Sequence, residues 1–101
     1  MAKGYWIAHV TVNDPEAYKD YIAANAVAFA KYGARFLVRA GPSEMKVGRL
    51  RDRHVVIEFK DYATALACHG SPEYRHAAAL RDKASEVDLV IVEGYDGPQP
   101  G

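Results

Sequence analysis

Apolar residues fall into two rhythms along the chain, one of period two and one helical. Residues Tyr5 to Val12 are rich in aromatic and β-branched types and predict a strand. Asn13-Asp14-Pro15-Glu16 ends it and opens a helix. The Asp14 carboxylate suits the cap because it can accept an orphan backbone N–H, and Pro15 suits the first helical position, where its missing donor costs nothing. Helical spacing follows at Tyr18, Tyr21, Ile22 and Phe29, with Ala26 between and Lys19, Asp20 and Lys31 off the stripe. Gly33 closes the helix, as a left-handed C-terminal position prefers. Ala34 to Ala40 predict a second strand, broken by Gly41-Pro42-Ser43. Glu44 to Leu50 reads as an irregular arm and Arg51-Asp52-Arg53 as a charged turn before a third strand, His54 to Phe59.

Asp61 caps a short helix through Tyr62, Ala65 and Leu66. Gly70 breaks it, and Ser71-Pro72-Glu73 repeats the cap-then-proline signal for a helix that carries Tyr74, Ala77, Ala78 and Leu80 and ends near Ser85. Val87 to Glu93 is the last strand. The order is β-α-β-β-α-β with the second helix broken in two. Two β-α-β halves with right-handed crossovers make one antiparallel four-stranded sheet with the helices on one face, the ferredoxin-like α+β sandwich. Residues 1–96 form this single domain, and 97–101 are expected to be a flexible C-terminal tail.

Alternation assigns Val55, Ile57 and Phe59 to the helices and leaves His54, Val56 and Glu58 on the second face. On the first strand Trp6, Ala8 and Val10 alternate with Tyr5, Ile7 and His9; on the second, Phe36 and Val38 alternate with Arg35, Leu37 and Arg39. The second face would then carry Ile7, Leu37, Val56, Leu89 and Ile91, too apolar for a solvated surface. The economical answer is a homodimer with two sheets packed face to face, in which Arg35 or Arg39 pairs with Glu58 or Glu93.

Composition narrows the function classes. The 101 residues hold 13 basic and 13 acidic side chains, so the chain lacks the basic excess of a protein that binds nucleic acid by bulk electrostatics. A single cysteine cannot form an internal disulfide. No apolar run reaches the length of a membrane helix and no signal-peptide pattern opens the chain, so a cytoplasmic location is expected.

The segments Gly4-Tyr5-Trp6-Ile7-Ala8, Asp14-Pro15-Glu16-Ala17-Tyr18, Ala34-Arg35-Phe36-Leu37-Val38-Arg39, Val56-Ile57-Glu58-Phe59 and Ser71-Pro72-Glu73-Tyr74 resemble the DUF1330 family of small bacterial proteins. The likeness continues through Val90-Ile91-Val92-Glu93-Gly94-Tyr95 and covers nearly the whole chain. It implies a dimeric α/β barrel of the ferredoxin-like type. The family's function is unknown, so it lends no catalytic residue. Its wider superfamily includes small-molecule monooxygenases, isomerases and haem-degrading enzymes, and also members without known catalysis; kinship of fold does not establish activity.

Candidate chemistry is sparse. Cys68 and His69 are adjacent, about 100° apart on a helix, and no spaced ligand pair occurs, so no metal site is expected. No phosphate-binding glycine loop is present, and no cofactor is expected. Ser71 lacks the surroundings of a nucleophile and reads as a cap. The basic stretch from Lys46 to Arg53 reads as a solvated arm, with anion or nucleic-acid contact as the other reading. His9, Arg39 and Glu58, read as sharing one sheet face, are the candidate catalytic residues: a histidine oriented by a carboxylate can move a proton, and an arginine can hold an anionic oxygen. The competing reading is an ion-pair cluster that fixes dimer register. Among the tyrosines, which at helical spacing belong to the core, Tyr18 and Tyr74 are the candidate ligand-binding residues. Two functions remain: a cofactor-independent small-molecule oxygenase or isomerase with its pocket between sheet and helices, or a non-catalytic small-ligand-binding or structural homodimer.

Overall fold

A computed structural model describes residues 2–101. The elements are β1 (Gly4–Val12), α1 (Pro15–Tyr32), β2 (Arg35–Arg39), β3 (Arg53–Phe59), α2 (Tyr62–Gly70), α3 (Pro72–Ala84) and β4 (Ser85–Glu93). All neighbouring strands are antiparallel, in the order β2-β3-β1-β4. This is the ferredoxin-like βαββαβ sandwich. Its least dimension is 16 Å, room for one sheet and one layer of helices. Among the described residues, no helix is long and apolar enough to cross a membrane.

The helix ends form as the sequence predicts. Asp14 Oδ1 accepts from the Ala17 N–H at 3.1 Å, and Gly33 ends α1 with φ 68°. Asp61 Oδ1 accepts from the Thr64 N–H at 2.7 Å. Ser71 joins α2 to α3, since its Oγ accepts from the Tyr74 N–H and donates to the Cys68 carbonyl. The Ala84 carbonyl accepts from the N–H groups of Asn13 and Asp14 at 2.8 and 3.1 Å, which pins the end of α3 to the start of α1.

Trp6 is the hub of the core, with ring centres 4.8 Å from Tyr74 and 5.3 Å from both Phe29 and Phe59, and its indole N–H donates to the Ala65 carbonyl at 2.9 Å. The buried stripe of α1 runs through Tyr18, Tyr21, Asn25, Ala28 and Phe29. Asn25 therefore takes the place expected for Ala26, which is exposed. A helix turns 100° per residue, so position 25 continues the line from Tyr21 although its side chain is polar.

Two face assignments are corrected by strand pairing. Leu89 and Ile91 lie opposite Ala8 and Trp6 and pack on the core, while Val90 and Val92 are exposed on the open face. Five apolar residues, 87 and 89–92, interrupted only by Asp88, carry no alternation that could decide this. In β2 the register slips between Phe36 and Val38: Phe36 pairs with Ile57, Val38 with Val56 and Arg39 with Val55. The extra residue, Leu37, is a bulge that inverts the alternation beyond it. Val38 is thereby placed on the open face and Arg39 on the helix face.

Candidate functional site

A partly open cavity of about 40 Å³ lies between sheet and helices. It is room for a few waters or a small organic group. Its location follows from the connections. β2 ends and β3 begins at this edge, bringing Arg39 and Arg53 together, and the contact between Ala84 and Asn13 brings Arg81 of α3 to Tyr18 in the first turn of α1. Tyr21, Asn25 and Tyr74 complete the polar lining, over an apolar floor that includes Trp6, Ile57 and Leu89.

The polar groups form a directed chain. Arg81 Nη1 donates to Tyr74 Oη at 3.2 Å, and Tyr74 Oη lies 2.8 Å from Tyr21 Oη. With one Tyr74 lone pair already engaged, its hydroxyl is free to donate to Tyr21. Asp82 anchors Arg81 from outside, at 3.0 Å from Nε and 2.9 Å from Nη2. The Arg53 guanidinium sits 5.4 Å from the centre of the Tyr18 ring, and its Nε is buried without a hydrogen-bond partner. Arg39 is exposed at the rim and lies 4.1 Å above the Phe36 ring. Burial pushes the hydroxyls of Tyr18, Tyr21 and Tyr74 above the usual phenol range, so all three stay protonated at neutral pH. No aspartate, glutamate or histidine is among the lining residues. The site is thus cationic, with neutral O–H groups beside the cations.

Tyr18, Tyr74 and Arg39 are therefore brought together. His9 and Glu58 are not: they lie on the open face, and the expected single face for His9, Arg39 and Glu58 is undone by the bulge at Leu37. His9 and His54 face each other there with Nδ1 atoms 2.9 Å apart, and Glu58 accepts from Tyr5 Oη at 3.2 Å. Among the described residues, no ion pair joins Glu58 or Glu93 to Arg35 or Arg39. The basic stretch also divides. Lys46 pairs with Glu44, Arg51 reaches Thr11, Glu86 and Asp88, and Arg53 turns into the cavity. Cys68 is fully buried with its thiol 3.9 Å from the Ala28 carbonyl, and His69 packs on the Trp6 and Tyr74 rings.

Arg53 and Arg81 were not singled out as site residues, yet a signal existed for each. Arg53 shares its parity with Val55, Ile57 and Phe59, and Arg81 continues the buried line Tyr74, Ala77, Ala84 of α3. Their charge hid them, because arginine is ordinarily exposed and almost never fully buried unless paired.

A ferredoxin-like domain with a small arginine- and tyrosine-lined cavity under its helices is the class that fold and site define. The sequence pattern of the family described as a domain of unknown function, DUF1330, matches residues 3–95. The chain belongs to that family. No curated protein sequence matches it. Among solved structures, it is similar to a protein of unknown function from Rhodopseudomonas palustris, with a TM-score of 0.73 at 17% identity over 95% of this chain and 85% of that one. It is similar to SnoaB, a cofactor-independent oxygenase from Streptomyces nogalater, with a TM-score of 0.62 at 16% identity over 99% and 97%. It is also similar to a dimeric ferredoxin-like protein of unknown function from Thermobifida fusca, with a TM-score of 0.58 at 21% identity over 91% and 89%.

Proposed function

We propose that this protein is a cytoplasmic homodimer whose cavity binds a small organic molecule and converts it, without a cofactor, by oxygenation or isomerisation. The observation that carries the reading is the convergence of three protonated tyrosines and the arginine guanidiniums on one cavity with an apolar floor. Oxygenation and isomerisation of this kind both pass through an electron-rich enolate or phenolate, and since no base lines the cavity the substrate is one acidic enough to lose that proton to solvent and enter as the anion. Fixed donors and cations aimed at such an oxygen stabilise it more than its neutral precursor. Tyr18 and Tyr74 are the proposed ligand contacts, and Arg39, at the rim, the proposed charge-stabilising residue. The cofactor-independent oxygenase of similar fold supports the reaction class.

The dimer reading is supported by the open face, where Ile7, Val38, Val56, Val90 and Val92 form an apolar surface that the helices do not cover. The dimeric protein of similar fold agrees with it. His9 and Glu58 are then residues of the subunit interface. A second reading, a non-catalytic ligand-binding or structural dimer, is favoured by one observation: no carboxylate or imidazole lines the cavity to move a proton.

Turnover separates the two. Purified protein without added cofactor is offered hydroxylated aromatics and unsaturated lactones, while dioxygen uptake and lactone absorbance are followed. The first reading expects catalysis that is abolished in Arg39→Gln and retained in Glu58→Ala. Saturable binding with no turnover of any compound would favour the second.

A further inference from the structure

We infer that the cavity is specific for a small organic anion, a short-chain or single-ring carboxylate, held by the guanidiniums of Arg39, Arg53 and Arg81. This rests on the small-molecule reading of the cavity. Three arginines from three different elements line it, and no acidic side chain does. Asp82 engages Arg81 from outside, while Arg39 and Arg53 have no carboxylate partner among the described residues. The tyrosines do not supply the missing negative charge, since burial keeps them protonated.

The decisive detail is at Arg53. Its Nε is shielded from solvent and has no acceptor. A buried guanidinium donor left unmatched is costly, and a carboxylate matches it in kind, because the planar fork of arginine and the two oxygens of a carboxylate bond in parallel. Tyr18, whose ring Arg53 overlies, and Tyr74, which is held by Arg81, stand beside that position as neutral donors. The floor of Trp6, Ile57 and Leu89 takes the apolar body, and the 40 Å³ volume limits it to a few atoms or one ring.

Trp6, the only tryptophan of the chain, lines the cavity, so its emission reports occupancy directly. The experiment titrates the protein with benzoate and butyrate against their neutral isosteres, benzamide and butyramide, and follows Trp6 emission and the thermal midpoint. The carboxylates are expected to bind at least tenfold more tightly than the amides. Arg53→Gln is expected to weaken carboxylate binding about tenfold or more, the scale of one charge-assisted hydrogen bond, and to weaken amide binding by clearly less. Arg39→Gln, at the exposed rim, provides the same comparison in a variant whose folding the substitution does not threaten. Amides that bind as tightly as carboxylates, or carboxylate affinity that survives both substitutions, would overturn the anion inference and leave the small-molecule reading standing. If neither class alters emission or midpoint, both fall.

Discussion

The hydroxyls of Tyr21 and Tyr74 lie 2.8 Å apart inside the core and join α1 to α3 at the wall of the cavity. Tyr74 also accepts from Arg81, so the two positions are not equivalent. Tyr21→Phe removes one neutral hydrogen bond and is expected to cost about 1 kcal/mol. Tyr74→Phe removes the bonds to both Tyr21 and Arg81 and is expected to cost about 2 kcal/mol. The double variant should cost less than the sum by about 1 kcal/mol, since the shared bond is lost only once. Urea unfolding of the four proteins measures this cycle. Full additivity would show that the hydroxyls are not coupled.

Stability is expected to fall with acid in two stages. Burial, reinforced by Arg81 and Arg75, holds His69 below its ordinary value of 6.5. Between that value and its depressed one, the unfolded chain binds the proton and the folded chain does not, so stability is lost as pH falls through this window. Asp61, bonded to Thr64, and Glu73, paired with Lys31, are also depressed, from 3.8 and 4.5. Their contribution is present above those values and is lost as pH falls through the folded ones. The thermal midpoint should therefore drop from pH 7.5 to 5.5, about where His69 begins to titrate when unfolded, and His69→Asn should flatten that first stage only.

Gly4 faces the start of α2, and a Cβ there would strike the Asp61 carbonyl and come within 2.8 Å of the Tyr62 Cα. These are backbone atoms and cannot swing aside. Gly4→Ala is expected to destabilise by about 1–3 kcal/mol, the scale of overpacking, read by denaturant unfolding. An unchanged midpoint would mean that α2 is not seated where the structure places it.

Cys68 is fully buried and its thiol is pushed up to about 12 by burial. Thiolate is the reactive form. A disulfide reagent at pH 8 should label the native protein only at the rate of unfolding, and immediately in denaturant; fast native labelling would contradict the packing of α2 on α1.

Val90, 54% exposed on the open face, tests the subunit arrangement. In a lone chain Val90→Glu costs little, whereas between two packed sheets it buries an unpaired charge. Light scattering is expected to show a dimer for the parent and a folded monomer for the variant. A monomeric parent would refute the face-to-face dimer.

By itself the sequence determined the element order and the helix boundaries. Those depend on local chemistry: Asp14 and Asp61 accept from their own first turns, Pro15 and Pro72 sit where a donor is not needed, and Gly33 takes the left-handed φ. It also determined the helix face of β1 and β3, because Trp6 and Phe59 mark it. It did not determine the faces of β4, whose apolar run satisfies either side, nor the bulge at Leu37, which exists only as a mismatch in length between β2 and β3. That mismatch moved Arg39 away from His9 and Glu58 and to the rim of the cavity. The site was legible in part, through Tyr18, Tyr74 and Arg39. Its other half is Arg53, which shares the parity of Val55, Ile57 and Phe59, and Arg81, on the buried line of α3; what only the tertiary structure decided is that the end of α3 docks on the start of α1 and carries Arg81 to Tyr18.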